Sequence, residues 1–171
     1  VVNVSSARIP GVEFPTVTCD LAGAARLAVA HLLDQGFRNF GYFSPRGLSY
    51  VKIHYENFVE AVAEAGGRCW FCPVRRNLGP GGWRKRQHYL QQWLLDLPKP
   101  VAILTWTSDR GREVLYACRA AGLLVPEQVA VLGGDEDTLL CETCNPPLSG
   151  VALTSERIGF EAAALLDRML A

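Results

Sequence analysis

The stretch Val101-Ala-Ile-Leu-Thr105, Trp106-Thr107-Ser108-Asp109, followed after a helical segment by Val129-Ala-Val-Leu-Gly-Gly134 and Asp135-Glu136-Asp137, decides the fold. Two short apolar runs of the buried-strand type each end in a cluster of small polar and acidic residues. Such runs suit a parallel sheet covered on both faces. In an open parallel sheet, ligands bind outside the carboxyl ends of the strands. Two polar strand ends, one βα unit apart, therefore make half of a small-molecule pocket. No nucleophile–base pair stands beside them, so the pattern points to binding rather than reaction.

Working outward, strand and helix signals alternate along the chain. Val1 to Val4 reads as a short strand. Asp20 is a good N-cap for a helix that runs to about Gln35 and stops at Gly36. Leu21, Ala24, Leu27, Ala28, His31 and Leu32 recur along it at helical spacing. Phe37 to Phe43 reads as a strand, Tyr50 to Ala65 as a helix ended by Gly66-Gly67, and Arg68 to Val74 as a strand. Gly79-Pro80-Gly81-Gly82 is a loop before a helix from Trp83 to Leu97, which Pro98 and Pro100 break. Strand 101–105, helix 109–121, strand 129–132, an Asn145-Pro-Pro turn, strand 149–153 and a helix from about Glu156 to Leu170 complete the pattern, with Ser155 as the last cap. Strands alternating with helices of this length predict βαβ units and an α/β fold, an open parallel sheet with helices on both faces.

Composition narrows the classes. The chain has 171 residues, enough for one domain or one large lobe. Seventeen basic and 17 acidic residues cancel, so this segment lacks the basic face that phosphate neutralisation needs. No apolar run approaches the ~18 residues of a membrane span. The first residues have neither the basic region nor the apolar core of a signal peptide, and no Met. The expectation is an excised piece of a longer protein, with a cytoplasmic setting by default. Cysteines at 19, 69, 72, 118, 141 and 144 include two CxxC pairs, Cys69/Cys72 and Cys141/Cys144. The pairs lie too far apart for a short zinc ribbon, and on a strand i and i+3 point to opposite faces. The main reading is small apolar residues in a reduced compartment, with zinc or redox chemistry as the alternative. Three scattered histidines give no convergent metal site, and no cofactor is expected.

Four passages carry a resemblance: Asp20 through Phe40; Tyr50 to Ala65; Ala102-Ile-Leu with Arg112-Glu-Val-Leu-Tyr-Ala-Cys-Arg-Ala-Ala-Gly-Leu-Leu-Val-Pro-Glu-Gln-Val-Ala-Val-Leu-Gly133; and Pro146-Pro-Leu-Ser-Gly-Val151 with Ile158-Gly-Phe-Glu-Ala-Ala-Ala-Leu-Leu166. Together they resemble the effector-sensing domain of lactose-repressor-type regulators, a two-lobed periplasmic-binding-protein-like fold. Asp109-Arg-Gly-Arg-Glu-Val-Leu-Tyr-Ala-Cys118, Asp135-Glu-Asp-Thr-Leu-Leu-Cys141 and Asn145-Pro-Pro-Leu-Ser149 resemble the xylose-operon type, in which the sensing domain precedes an AraC-type helix-turn-helix module. The resemblance implies that residues 1–19 are a strand and connection from the first lobe, 20–153 the second lobe, and 154–171 a return helix toward the first. It implies a monosaccharide effector, DNA contacted only through a module outside this chain, and a homodimer. It also implies that the helix 20–35 and the final helix, with Ile158, Phe160, Ala162, Leu165, Leu166 and Met169, touch the first lobe.

The ligand-binding candidates are Asp135, Asp109, Thr107, Trp106, His54, Tyr50 and Arg46, with no catalytic residue. Asp135 matches the family's pocket aspartate, and a carboxylate can accept two bonds from vicinal hydroxyls; alternatively it caps the turn before Thr138. Asp109 either contacts ligand or caps its helix. Trp106 either stacks on an apolar sugar face or packs. Thr107-Ser108 stand where the family usually places Asn-Asp, with Asp109 next. His54 stands where it usually places an Arg that donates to sugar hydroxyls, and is a ligand contact or a surface histidine. Trp83, Tyr89 and Trp93 read as packing residues, and Arg84-Lys85-Arg86 as a solvated face. The other function class is a small Rossmann-like or flavodoxin-like enzyme domain. Against it stand the lack of a GxGxxG, GxSxG or GKS/T signature and the missing N–H of Pro80.

Overall fold

A computed structural model describes residues 1–6, 11–74 and 81–171. The described elements are α1 (Leu21–Asp34), β1 (Asn39–Pro45), α2 (Ser49–Glu64), β2 (Arg68–Val74), α3 (Gly82–Asp96), β3 (Val101–Thr105), α4 (Ser108–Ala121), β4 (Val129–Gly133), α5 (Thr138–Thr143), β5 (Ser149–Gly150) and α6 (Ser155–Leu170). The strands form one sheet in the order β2-β1-β3-β4-β5, and every neighbouring pair is parallel.

Side-chain alternation along the strands divides the core. Phe40 and Tyr42 of β1, Ala102 and Leu104 of β3 and Ala130 and Leu132 of β4 pack with Ala28, Val29 and Leu32 of α1 and Phe58 and Val62 of α2. The opposite face carries Phe43, Val101, Ile103 and Val129, covered by Leu90 and Leu94 of α3 and Val114 and Cys118 of α4. All five residues of β3 are buried, as its unbroken apolar run requires. Gly41 allows a tight approach within this layer: a Cβ there would lie 2.5 Å from Ile103 Cδ1 and 3.0 Å from the Trp93 ring.

The signals at the two ends of α1 act as read, whereas Ser155 does not cap α6: it is the first residue of that helix, whose N-cap position is Thr154. Asp20 accepts from the Gly23 N–H at 2.9 Å and caps α1, while Gly36 follows α1 at φ +91°. Other expectations need correction. Val1 to Val4 is not a strand of the sheet; only Asn3 pairs, through one isolated parallel bridge to Thr16. The last strand is two residues rather than five. The segment after Asp137 contains a short helix, α5, which the sequence pattern did not suggest; Asp137 caps it by accepting from Leu140 N–H at 3.0 Å. α1 packs against α2 and the sheet. Arg86 is not a solvated member of a basic face: its Nε lies 3.2 Å from Glu113 Oε2, and the Glu113 side chain is only 6% exposed. Trp93 and Tyr89 pack against the core, but Trp83 is half exposed. Residues 79 and 80 of the Gly79–Gly82 loop lie outside the described residues. α6 buries only Ala162 and leaves Phe160, Leu166, Met169 and Leu170 exposed.

Among the described residues no helix is long and apolar enough to cross a membrane. Ile103 is fully buried in the central strand. Its replacement by Ala is expected to cost about 2–5 kcal/mol, from lost burial and the cavity left against Trp93. Urea unfolding of Ile103→Ala beside the wild type measures it, and a change below ~1 kcal/mol would contradict this account of the core.

Candidate functional site

The order β2-β1-β3 reverses direction between β1 and β3, so the two strands carry their following helices to opposite faces of the sheet. Such a switch point leaves a crevice at the carboxyl ends. Tyr50 and His54, on α2 after β1, and Trp106, directly after β3, meet there. The Trp106 ring lies 5.4 Å from that of Tyr50 and 5.2 Å from that of His54, the latter edge-to-face at 90°. The Trp106 backbone N–H donates to the Phe43 carbonyl at 3.2 Å, tying the two strand ends together.

Asp135 closes the next side, beyond β4. Its Oδ1 accepts from the Ser108 N–H at 2.6 Å, and the single proton of the buried Ser108 hydroxyl is shared between Oδ1 at 2.7 Å and the Asp135 carbonyl at 2.9 Å. Thr107 is the N-cap residue of α4 but makes no side-chain cap bond. The oxygen that satisfies the helix terminus is therefore supplied from another strand end, by Asp135, where the positive end of the helix favours an anion. Among the described residues no donor reaches Oδ2. Gly134 makes the approach possible. A Cβ there would stand 2.4 Å from the Thr105 carbonyl, 2.7 Å from the Trp106 carbonyl and 3.1 Å from His54 Cε1.

The structure brings Tyr50, His54, Trp106 and Asp135 together, with Thr107 beside them. It places the other two candidates differently. Asp109 sits in the first turn of α4, and neither caps it nor stands free: its carboxylate pairs with Arg112 at 2.7 Å and Arg110 at 3.3 Å. The Arg46 guanidinium lies 5.0 Å over the Phe71 ring, beside a separate depression of ≈ 680 Å³ lined also by Lys52, Tyr55 and Glu56. Asp135 does not cap the turn before Thr138; Asp137 does.

His54 is buried rather than a surface histidine. Its Nδ1 lies 2.6 Å from the Tyr42 hydroxyl, inside a ring cluster of Tyr42 with Tyr55, Phe58 and Phe71. Burial lowers its pKa to about 4, opposed by the charge of Asp135. Burial likewise raises Tyr42 far above the usual phenol range. Reading the sequence missed Tyr42, Ser108 and Glu113. A Tyr inside an apolar strand was the available signal for the first; Ser108 in the polar end of β3 and Glu113 three residues from Arg110 had local marks, but their partners Asp135 and Arg86 each lie 27 residues away. Burial raises Glu113, opposed by Arg110 and Arg86, which hold its carboxylate between α3 and α4.

The cysteines fit the packing reading. Cys72, Cys118 and Cys141 are buried, and desolvation pushes the Cys69 and Cys118 thiols up to about 12. The Cys141 thiol reaches Ser108 Oγ at 3.4 Å. Among the described residues no group of three or more His, Cys, Asp and Glu side chains gathers to hold a metal.

His54 has a consequence for stability. Unfolded, it takes up a proton as pH falls through its ordinary 6.5; folded, it resists until about 4. Its contribution is complete above pH 6.5 and is lost as pH falls from there to 4. About 3 kcal/mol is expected from this group. Urea titrations at pH 7 and pH 4.5 should show the loss, and His54→Gln should flatten it; an equal pH slope in the variant would contradict the assignment.

The family model for the periplasmic binding protein-like domain matches residues 29–171. The chain is 28% identical over 161 residues to the xylose operon regulatory protein of Haemophilus influenzae, a match covering 92% of this chain and 41% of that protein. It is 32% identical over 163 residues to the HTH-type transcriptional repressor CytR of Escherichia coli, covering 94% of this chain and 47% of the repressor. The solved structure of the xylose-binding transcription activator xylR superposes with a TM-score of 0.81 at 26% identity, over 99% of this chain and 46% of that one. The chain thus spans less than half the length of these relatives, each of which is a transcriptional regulator. The α/β architecture, the all-parallel sheet and the family model agree: the chain belongs to the periplasmic binding protein-like domain family.

Proposed function

We propose that this chain is the second lobe of the sugar-sensing domain of a bacterial transcriptional regulator, and that it has no catalytic role of its own. The observation that carries the reading is the convergence of Tyr50, His54, Trp106 and Asp135 at the β1/β3 switch point. A sugar presents an apolar ring face and a rim of hydroxyls. The Trp106 indole supplies a surface for the face, and Asp135 Oδ2 supplies an acceptor for the rim. The names of the relatives support xylose or a similar monosaccharide as effector.

In this reading residues 1–19 and 154–171 connect to a first lobe, which completes the opposite wall. A pocket that buries most of a small ligand needs both walls. The exposed Phe160, Leu166 and Met169 of α6 support that arrangement, because an apolar face of this kind normally has a partner. Effector binding would favour the closed arrangement of the lobes and shift the orientation of DNA-binding modules outside this chain, in a homodimeric, cytoplasmic regulator. In an enzyme of similar fold a reacting group would face the same crevice. Here the residues at the crevice stack and hydrogen-bond, and the relatives are regulators.

Calorimetry of the full-length protein with D-xylose and other neutral aldoses tests the reading. Trp106→Ala is expected to weaken the sugar that binds roughly tenfold, the loss of one stacked ring face. Unchanged affinity in that variant, or no binding of any neutral sugar by the wild type, would overturn the assignment.

A further inference from the structure

The Tyr42–His54 contact says more about the site than burial alone. Only one proton lies between the phenol oxygen and Nδ1, which are 2.6 Å apart. So short a separation belongs to an O–H donor; an N–H donor prefers 2.9–3.0 Å. Cys69, Ser44 and Tyr55 are the other polar neighbours of the phenol, and the Ser44 hydroxyl donates to the Pro45 carbonyl at 3.2 Å. Of the acceptors near the phenolic proton, imidazole nitrogen is the most basic. The phenol therefore donates to Nδ1, and a neutral ring in that state carries its hydrogen on Nε2.

Among the described residues Nε2 has no hydrogen-bond partner. Yet among the described residues no buried side-chain nitrogen or oxygen lacks a hydrogen bond, so Nε2 keeps access to solvent. Its neighbour Cε1 faces Gly134, and the ring meets Trp106 edge-to-face, which puts the accessible nitrogen at the crevice. We propose that Tyr42 is a positioning residue: its hydroxyl holds the His54 ring as the Nε2–H tautomer, so that Nε2–H stands as an uncharged donor for a ligand hydroxyl beside Trp106 and Asp135. This rests on the sugar-sensing reading for the identity of the acceptor, but not for the tautomer.

The charges around the ring fix the class of ligand. Tyr42 faces it from β1, Tyr50 from the preceding turn of α2, and Asp135 from beyond β4. Burial keeps the ring neutral at physiological pH. Arg110 and Arg112 are engaged by Asp109 and Glu113. On this wall an anionic ligand would meet the Asp135 carboxylate, with Arg110 and Arg112 among the described residues already paired. A hydroxyl, which both accepts and donates, fits Nε2–H and Asp135 Oδ2 together. This wall of the site favours uncharged, hydroxyl-rich molecules over their phosphate esters or acids.

The test uses the full-length protein, Tyr42→Phe, His54→Gln and the double variant. Nitrogen-15 NMR of His54 should report the Nε2–H tautomer between about pH 6 and pH 8 in the wild type, and a mixture in Tyr42→Phe. Affinity for a neutral aldose, taken from a panel that includes D-xylose, should fall about fivefold in Tyr42→Phe, the worth of one neutral hydrogen bond. His54→Gln places an amide donor at the position of Nε2 without needing Tyr42. Whatever affinity His54→Gln retains, Tyr42→Phe should cost nothing further on that background, which separates positioning from damage to the fold. The corresponding sugar phosphates should bind neither protein. An Nδ1–H or charged ring in the wild type, undiminished binding in Tyr42→Phe, or an equal loss on the Gln background would overturn the proposal. An Nε2–H ring in a wild type that binds no aldose would leave the tautomer standing and refute the donor role together with the sugar reading.

Discussion

The tie between Asp135 and Ser108 holds the carboxyl end of the sheet in shape. It joins the turn after β4 to the first residue of α4, which itself leaves β3. The exposed N–H groups of a helix terminus need an acceptor, and Thr107 does not provide one from its own side chain. A carboxylate from the neighbouring strand end meets that need and is favoured there by the helix dipole. The same bond fixes where the other carboxylate oxygen stands. Structural satisfaction of α4 and presentation of an acceptor at the crevice are thus one arrangement.

Tight backbone contact follows from it. Gly134 brings the β4 turn against the Thr105 and Trp106 carbonyls, closer than any side chain would allow. The Trp106 N–H in turn binds the Phe43 carbonyl, so the ends of β1, β3 and β4 share one connected frame. Against this frame α2 lays His54 and Tyr50, and Tyr42 anchors His54 from within β1. The aromatic wall of the crevice is then continuous with the core cluster of Tyr42, Tyr55, Phe58 and Phe71. Preorganisation of this kind reduces the ordering cost of binding a small ligand.

Period and punctuation made the architecture legible. The apolar runs 101–105 and 129–132, the Asp20 cap and the Gly36 and Gly66 stops are local signals, and the elements they mark are present. The same logic failed where pairing is non-local or brief. β5 is two residues long because only Leu132 and Gly133 offer it partners, and α5 is a six-residue helix too short to show a period. At the site, strand-end position pointed to Trp106 and Asp135. The burial of His54 was not legible, since it depends on a hydroxyl twelve residues earlier in a strand of apolar type. Arg86 looked like part of a basic run, and only the approach of Glu113 from α4 removes it from that face.

The claim that the β1/β3 crevice is where effector meets this lobe is tested most directly at one resonance. The indole N–H signals of this chain's four tryptophans can be assigned and followed in the full-length protein as the bound sugar is titrated. Trp70 and Trp93 pack in the α3–α4 layer and Trp83 lies on α3, whereas Trp106 stands at the crevice. The account predicts that Trp106 shifts with the binding isotherm while the other three stay in place. A sugar that binds and leaves Trp106 unmoved would contradict it.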